Sequence, residues 1–536
     1  MHNTLGKDIL KLLTSHGTLV SPEAIEYILS QKNPEEYIKE TLKQFQEIPL
    51  FLNIDQLKLA EAEMYSSNNS EVVLKDENMN ENVHLSQLEQ ESQENPLFSY
   101  PERLPHDEIT SKVTLKIKST LPSKRPLASE YDGDIKILQD VTGQSTSEGT
   151  LNDFIKYFQV RFETLRKILN SQRREVRGAL EISKIKTQTG PIKFVGLVNN
   201  CRNTKQGHKI IELEDETDSI SALINNSSPL INMNFINDEV ICVIGKVGKS
   251  DLVYVEDIIR PDIPIARKQN RSELPFNCIF MADIHIGSNK FLYGAWDKFI
   301  KWLNGAYSIN GTDEFIDRIK YIVVSGDVVD GIGIYPNQES ELEILDIYAQ
   351  YEALALKFQD LPEHIQLIIQ PGNHDAVRPA EPQPTFPSEI TQLFSNDIKF
   401  VGNPCYFTLN NVEILSYHGR SMDDFVMQLP NATYNKPIQI MKEMLVRRHL
   451  APVYGQKTPI APEHRDYLLI EKLPDFFVTG HIHKTACEQY RDITLINASA
   501  WQAQTNYQKM MNFNPDPGKI LVADLQSSKV NTVNFA

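Results

Sequence analysis

The chain has 536 residues, 41% of them hydrophobic and 23% charged. That usage excludes a wholly disordered chain, a collagen-like fibre and a coiled-coil rod, and the length implies roughly two to four domains. A net charge of -17 argues against nucleic-acid binding through a global positive field, so any phosphate contact must come from local basic patches or bound metal ions.

The N-terminus, MHNTLGKDILKLL, lacks the apolar core and small-residue site of a signal peptide. Residues 1–60 read as short amphipathic helices: Ile9 to Leu13, then SPEAIEYILS with Ser21 as cap and Pro22 at the first helical position, then PEEYIKETLKQF. They form a small helical docking module. Residues 61–150 turn acidic and rich in Asn, Gln and Ser without apolar periodicity, and such a segment reads as a flexible linker. Its tail, SKVTLKIKST, carries a strand signal.

A helix is predicted over 151–178. One face holds Phe154, Tyr157, Phe158, Phe162, Leu165, Ile168 and Leu169. The other holds Arg161, Arg166, Lys167, Arg173, Arg174 and Arg177, either a solvated face or a contact for nucleic acid or an acidic partner. Five alternating runs then follow: IKFVGLVNN, HKIIELED, SISALI, EVICVIGKV and LVYVEDII. Five short strands fit a barrel of the OB type, completing a domain over 151–268. The runs are poor in the aromatics on which single strands stack, which favours a structural or partner-binding barrel.

From 269 to 536 apolar runs alternate with helical patterns and end in polar clusters, the mark of an α/β domain with its site at strand ends. No stretch reaches the roughly 18 apolar residues of a membrane helix. The five cysteines, Cys201, Cys242, Cys278, Cys405 and Cys487, are far apart, with no CxxC pair. Neither a disulfide framework nor a cysteine zinc site is indicated, and a reducing, cytoplasmic setting is expected.

Five clusters follow the apolar runs: Asp283 and His285 as DxH; Asp327 and Asp330 in GDVVD; Asn373, His374 and Asp375 in GNHD; His418 in YHG; and His481 and His483 in GHIH. Alone, each is weak. Together they point to divalent metal, because carboxylates and neutral imidazoles suit zinc, iron and manganese. In DxH and HxH both outer side chains fall on one face of an extended segment. Two metals roughly 3.5–4 Å apart can clamp a phosphate and activate a water.

This set resembles the calcineurin-like metallophosphoesterase superfamily. The resemblance implies a β-sandwich flanked by helices and two divalent metal ions, with Mn2+ or Mg2+ favoured over Fe or Zn. It would assign Asp283, His285 and His483 to one metal, and Asn373, His418 and His481 to the other, with Asp327 bridging. His374 would be catalytic, protonating or stabilising the leaving oxygen, and Asp330 and Asp375 would orient ligands. The stretch HIQLIIQPGNHDAVRPAEPQP and the later INASAWQAQTNYQKMMNFNPDPGKILVADL are similar to the small subunits of the archaeal family-D DNA polymerases, as is the order of parts.

That second resemblance implies a 3′–5′ exonuclease proofreading DNA ends beside a large catalytic polymerase subunit. A sliding clamp is a further candidate partner, although no clamp-binding motif stands out. Arg378 is a candidate DNA-phosphate contact, with an internal salt bridge as its alternative. Gln502, Gln504 and Thr505 are candidates for the substrate groove, with a plain loop role as the equal alternative. Two other readings stand beside the nuclease: a non-catalytic scaffold linking the large subunit to other replication factors, and a free-standing phosphoesterase. The complete ligand set disfavours the first. The long extension and barrel disfavour the second.

Overall fold

A computed structural model describes residues 126–536, apart from 189, 249–251 and 310, together with short stretches between residues 19 and 57. The chain divides into two compact units, Met1–Lys118 and Ser119–Ala536.

In the first unit a helix spans Pro34–Leu42, within the expected PEEYIKETLKQF. Just ahead of it, the Asn33 amide donates to Glu36 Oε2 at 2.6 Å. The module is not purely helical as expected, since Leu19–Val20 pairs in parallel with Phe51–Leu52. The predicted helix at Ile9 to Leu13 and the strand signal in SKVTLKIKST lie outside the described residues.

The second unit corrects the linker assignment over 126–150, the part of it before residue 126 lying outside the described residues. Residues 126–150 are built into the fold. Strand β1 (Ile135–Gln139) pairs antiparallel with Cys405–Leu409, Ala128 and Val141 are fully buried, and the Asp140 carboxylate accepts from the Gly402 amide. The polar composition hid this because one short edge strand needs little apolar sequence. Helix α1 (Leu151–Gln172) begins where expected, closed by a capping box between Thr150 and Asp153. It ends six residues before 178, at Gln172.

Five strands follow: β2 (Pro191–Asn203), β3 (Lys209–Glu214), β4 (Ser219–Ile224), β5 (Val240–Val247) and β6 (Leu252–Ile259). They form a closed barrel in the order β2-β3-β4-β6-β5, with β4 and β6 parallel and the other pairs antiparallel. The period of two is explicit on β5. Ile241 and Val243 face the barrel interior, while Val240 and Cys242 pack on Phe162, Leu165 and Leu169 of α1. The basic face of α1 needs correction at one position. Arg161 is fully buried, bonded through Nε to Asp466 Oδ2 at 2.9 Å and through Nη1 to the Pro452 carbonyl. Tyr157 and His449 bond the same Asp466 carboxylate.

The main remaining elements are β7 (Asn277–Met281), α2 (Tyr293–Leu303), β8 (Ile319–Ser325), α3 (Ile347–Phe358), β9 (Gln366–Gln370), β10 (Lys399–Phe400), β11 (Cys405–Leu409), β12 (Val412–Ser416), α4 (Met422–Gln428), α5 (Pro437–Arg447), β13 (Phe476–Thr479), β14 (Ala486–Tyr490), β15 (Ile493–Asn497), α6 (Asn506–Met510), β16 (Lys519–Asp524) and β17 (Val530–Asn534). They build two six-stranded sheets, ordered β10-β9-β8-β7-β16-β17 and β14-β15-β13-β12-β11-β1. Strands β7 to β10 run parallel, as do β12, β13 and β15. Alternate residues settle the layering. Cys278, Phe280, Tyr321 and Val323 share a core with Phe407, Ile414, Phe476 and Val478 of the second sheet. Their neighbours Ile279, Met281, Ile322 and Val324 turn outward onto Trp296, Phe299 and Tyr351 of α2 and α3. Leu415 and Phe477 likewise face Phe425, Met441 and Met444 of α4 and α5. Residues between two sheets or under helices are buried on both faces, which is why these strands read as continuous apolar runs.

Candidate metal centre

Parallel strands end side by side, so the loops after them meet. The Asp283 amide donates to the Gly326 carbonyl at 2.9 Å, the Gly480 amide to the His418 carbonyl at 2.8 Å, and the Trp501 amide to the Asp283 carbonyl at 2.9 Å. These bonds knit the ends of β7, β8, β12, β13 and β15 into one rim. Two glycines allow the approach. A Cβ on Gly372 would stand 2.2 Å from Asp327 Oδ1, and one on Gly480 2.6 Å from Asp283 Oδ2.

Five of the expected ligands sit in left-handed backbone: Asp283 (φ 53°), His285 (55°), Asp327 (52°), His481 (69°) and His483 (46°). A non-glycine residue there costs on the order of 1–3 kcal/mol, and such strain clusters at functional sites. It persists here because the cross-loop bonds hold each turn.

Two donor groups converge. In the first, His285 Nε2 lies 3.0 Å from His483 Nε2, and Asp283 Oδ1 lies 3.9 Å from the former and 3.4 Å from the latter. In the second, His418 Nε2 lies 3.2 Å from Asp327 Oδ2 and 3.1 Å from Asn373 Oδ1, with His481 in the same cluster. Asp327 also stands 3.9 Å from His374 Nε2 and accepts the His374 backbone amide at 2.8 Å.

The second group fits a cation on its own chemistry. His418 Nδ1 lies 2.9 Å from the Ser325 carbonyl, which only accepts, so Nδ1 carries a proton and Nε2 is the lone pair whenever the ring is neutral. Its Nε2 lone pair then faces the oxygens of Asp327 and Asn373, and only a cation or a second proton relieves that meeting. The electrostatics agree. Burial disfavours charge on His418, yet Asp327, Asp283 and the Ser325 carbonyl together push it up to about 10. Burial likewise opposes charge on Asp327, but His418, His374 and His285 hold it well below the carboxylate range. His285 is held below its ordinary value, first by burial and also by His374 and His483 against the pull of Asp330, so it stays neutral as a ligand requires.

The two expected orienting carboxylates behave differently. Asp330 Oδ1 lies 2.9 Å from His285 Nδ1, on the far side of that ring from its ligand nitrogen. Asp375 contacts none of the ligand side chains through its carboxylate. It accepts from the Gly372 amide and the Tyr351 hydroxyl, bracing the turn that carries Asn373 and His374. Burial, then Asp327, pushes Asp375 up to about 7.

Arg378 makes the internal salt bridge that stood as the alternative to a DNA contact. Its guanidinium reaches Glu463 at 2.7 Å, Ser145 Oγ and the Pro382 carbonyl, so a buried carboxylate already takes the charge meant for DNA. Gln502 and Thr505 line the cavity at the centre. Gln502 donates to Asp330 Oδ1 at 2.7 Å, while Gln504 turns away to the Phe513 carbonyl and Asn514. That cavity, about 590 Å3, also exposes His374, Tyr335, Tyr507, Arg420 and Lys457. Sequence reasoning missed several of its members. Asp423 lies 3.6 Å from His481 Nε2, and Gln508 lies 3.0 Å from His483 Nδ1. Neither carried a motif; Asp423 stood only five residues past His418.

The fold and its rim define a mixed α/β protein with a five-stranded barrel and a candidate divalent-metal centre at the strand ends. The family of B-subunits of the DNA polymerases alpha and epsilon matches residues 278–488. A DNA polymerase II small subunit of Archaeoglobus fulgidus is 42% identical over 72% of this chain and 78% of its own length. One from Methanocaldococcus jannaschii is 41% identical over 76% of this chain and 70% of its own. The chain therefore belongs to the family of archaeal DNA polymerase II small subunits, those of the family-D polymerase. Among the described residues no helix is long and apolar enough to cross a membrane.

Proposed function

We propose that this chain is the phosphodiesterase subunit of a replicative archaeal polymerase, a 3′–5′ exonuclease that removes mismatched or single-stranded DNA ends beside a large catalytic subunit. The observation that carries the reading is the convergence of two donor groups at the strand ends, Asp283 with His285 and His483, and Asp327 with Asn373, His418 and His481. Asp283, His285 and His483 would hold one divalent ion, His418, Asn373 and His481 the other, and Asp327 both. Bound there, the ions would supply positive charge to the phosphate oxygens and an activated water.

The chain's own residues do the rest. His374 lines the cavity, and its Nδ1 lies 2.7 Å from the Asp330 carbonyl, an acceptor that fixes the ring. Its Nε2 is thereby turned inward to meet the leaving oxygen of the cleaved diester. Asp330 holds His285 in orientation, and Gln502 holds Asp330. The barrel is inferred to be of the OB type, serving partner binding.

The test uses end-labelled primers with matched and mismatched 3′ ends, with the chain alone and with its large subunit, in magnesium and in manganese. Stepwise shortening from the 3′ end that a chelator stops, with little change in folded structure, is the expected result. Wild-type protein as inert as His374→Ala in every condition would return the chain to the scaffold reading.

A further inference from the structure

The cavity at the candidate centre has an aromatic lip that the ligand set does not use. Tyr335 and Tyr507 stack with ring centroids 5.4 Å apart and 28° between their planes, and the Tyr335 ring stands 6.4 Å from that of His374. Tyr507 is 40% exposed, and Ile334, Met510 and Met511 beside it are also exposed. Trp296, Phe299 and Trp302 of α2, by contrast, are buried. An apolar patch left open next to a charged centre marks a binding surface.

The lip is also held rigid. The buried Glu341 accepts from the Tyr335 hydroxyl at 3.3 Å and from the Asn506 amide at 3.0 Å, so one carboxylate ties both tyrosine-bearing segments together. A capping box between Thr505 and Gln508 starts α6, and that same Gln508 lies against His483. Arg420 and Lys457 line the same cavity and supply cationic charge. An aromatic face, cations and a candidate metal site in one cavity match the chemistry of a nucleotide, which joins a flat base to an anionic backbone.

We propose that the Tyr335–Tyr507 stack is the platform on which the unpaired base of a 3′-terminal nucleotide rests while its phosphodiester lies at the metal centre. The inference rests on the phosphodiesterase reading and adds what that reading lacks, a means of favouring frayed ends. A base held in a duplex keeps its own stacking partners, whereas a mismatched or single-stranded one exchanges them for the tyrosines. Every base has a π face, so the platform is indifferent to sequence.

The experiment uses the full chain and two readouts. In manganese, cleavage is compared between oligonucleotides ending in an ordinary 3′ nucleotide and in an abasic one. Wild type should prefer the base-bearing end by about tenfold, the effect of one stacked base. Tyr507→Ala should erase that preference, and Tyr507→Phe should restore it. In chelator, where nothing is cleaved, a 3′-terminal 2-aminopurine should lose fluorescence on binding wild type and Tyr507→Phe but not Tyr507→Ala. Equal preference and equal quenching in wild type and a folded Tyr507→Ala overturn the platform, even if primers are shortened. Quenching that depends on Tyr507 without cleavage of any primer upholds the platform and defeats the nuclease reading.

Discussion

The barrel and the rim of the sandwich spend their sequence differently. Across β2 to β6 the buried residues are almost all aliphatic, and no group of metal-ligating side chains occurs there among the described residues. Among the described residues from β2 to β6, one non-glycine residue is left-handed, Asp238 in the loop before β5. At the sandwich rim, five left-handed non-glycine residues and two buried donor groups crowd into the loops after the parallel strands. The barrel spends its sequence on a packed aliphatic core. The rim gives up backbone comfort to bring carboxylates and imidazoles within ligand distance.

That contrast can be broken first at Asp327, which stands in both the His418 and the His374 surroundings. Asp327→Ala should lower primer shortening by more than about 10³-fold, as loss of a member of a catalytic unit does. It should leave the unfolding midpoint near that of wild type. A collapse of the fold would make the rim a structural element like the barrel.

The second test lies where α1 meets the α/β domain. Arg161 and Asp466 are both fully buried, and burial alone would oppose each charge. Arg161→Ala strands the Asp466 carboxylate and should cost about 3–5 kcal/mol in denaturant unfolding. A cost below about 1 kcal/mol would mean that Tyr157 and His449 suffice.

A pH test sharpens the picture of the sandwich interior. Glu381 is buried, and that burial pushes it from 4.5 to about 7 against the Tyr417 hydroxyl and Arg420. The folded state therefore binds more protons than the unfolded chain between those two values. Stability should fall as pH rises through that window and level off above about pH 7. Glu381→Gln removes the titration, so its advantage over wild type should grow across the window to about 3 kcal/mol. An offset that stays constant with pH would remove Glu381 from the account.

Asp330→Asn comes next, weakening the hold on His285 and lowering metal affinity or activity about 10- to 100-fold. Titration of manganese against the variant measures it; unchanged affinity and rate would leave Asp330 a purely structural carboxylate. The smallest effect belongs to the barrel. Tyr254 is 48% exposed there, and Tyr254→Ser should alter primer shortening by no more than about twofold. A larger loss would give the barrel a direct part in holding DNA.

Much of this was legible beforehand because it depends on local pattern. The alternating runs placed β2 to β6 within a few residues, and the helix predicted from residue 151 begins there. Asp283, His285, Asp327, Asn373, His374, His418, His481 and His483 stood out because each follows an apolar run. Edges and pairings were harder. Strand β1 was hidden in polar sequence, since its partner Cys405–Leu409 lies some 270 residues on. Arg161 read as basic surface, and Arg378 was open between a DNA phosphate and an internal salt bridge, because nothing near them in sequence names Asp466 or Glu463.

The amino-acid order alone determined which strands form and which side chains stand at their ends, because periodicity and turn residues act over a few positions. Only the tertiary structure decided which of those ends meet, which arginines pair with a buried carboxylate, and that two tyrosines from distant segments stack beside His374. Those outcomes depend on contacts between residues far apart in the chain, and no local signal encodes the partner.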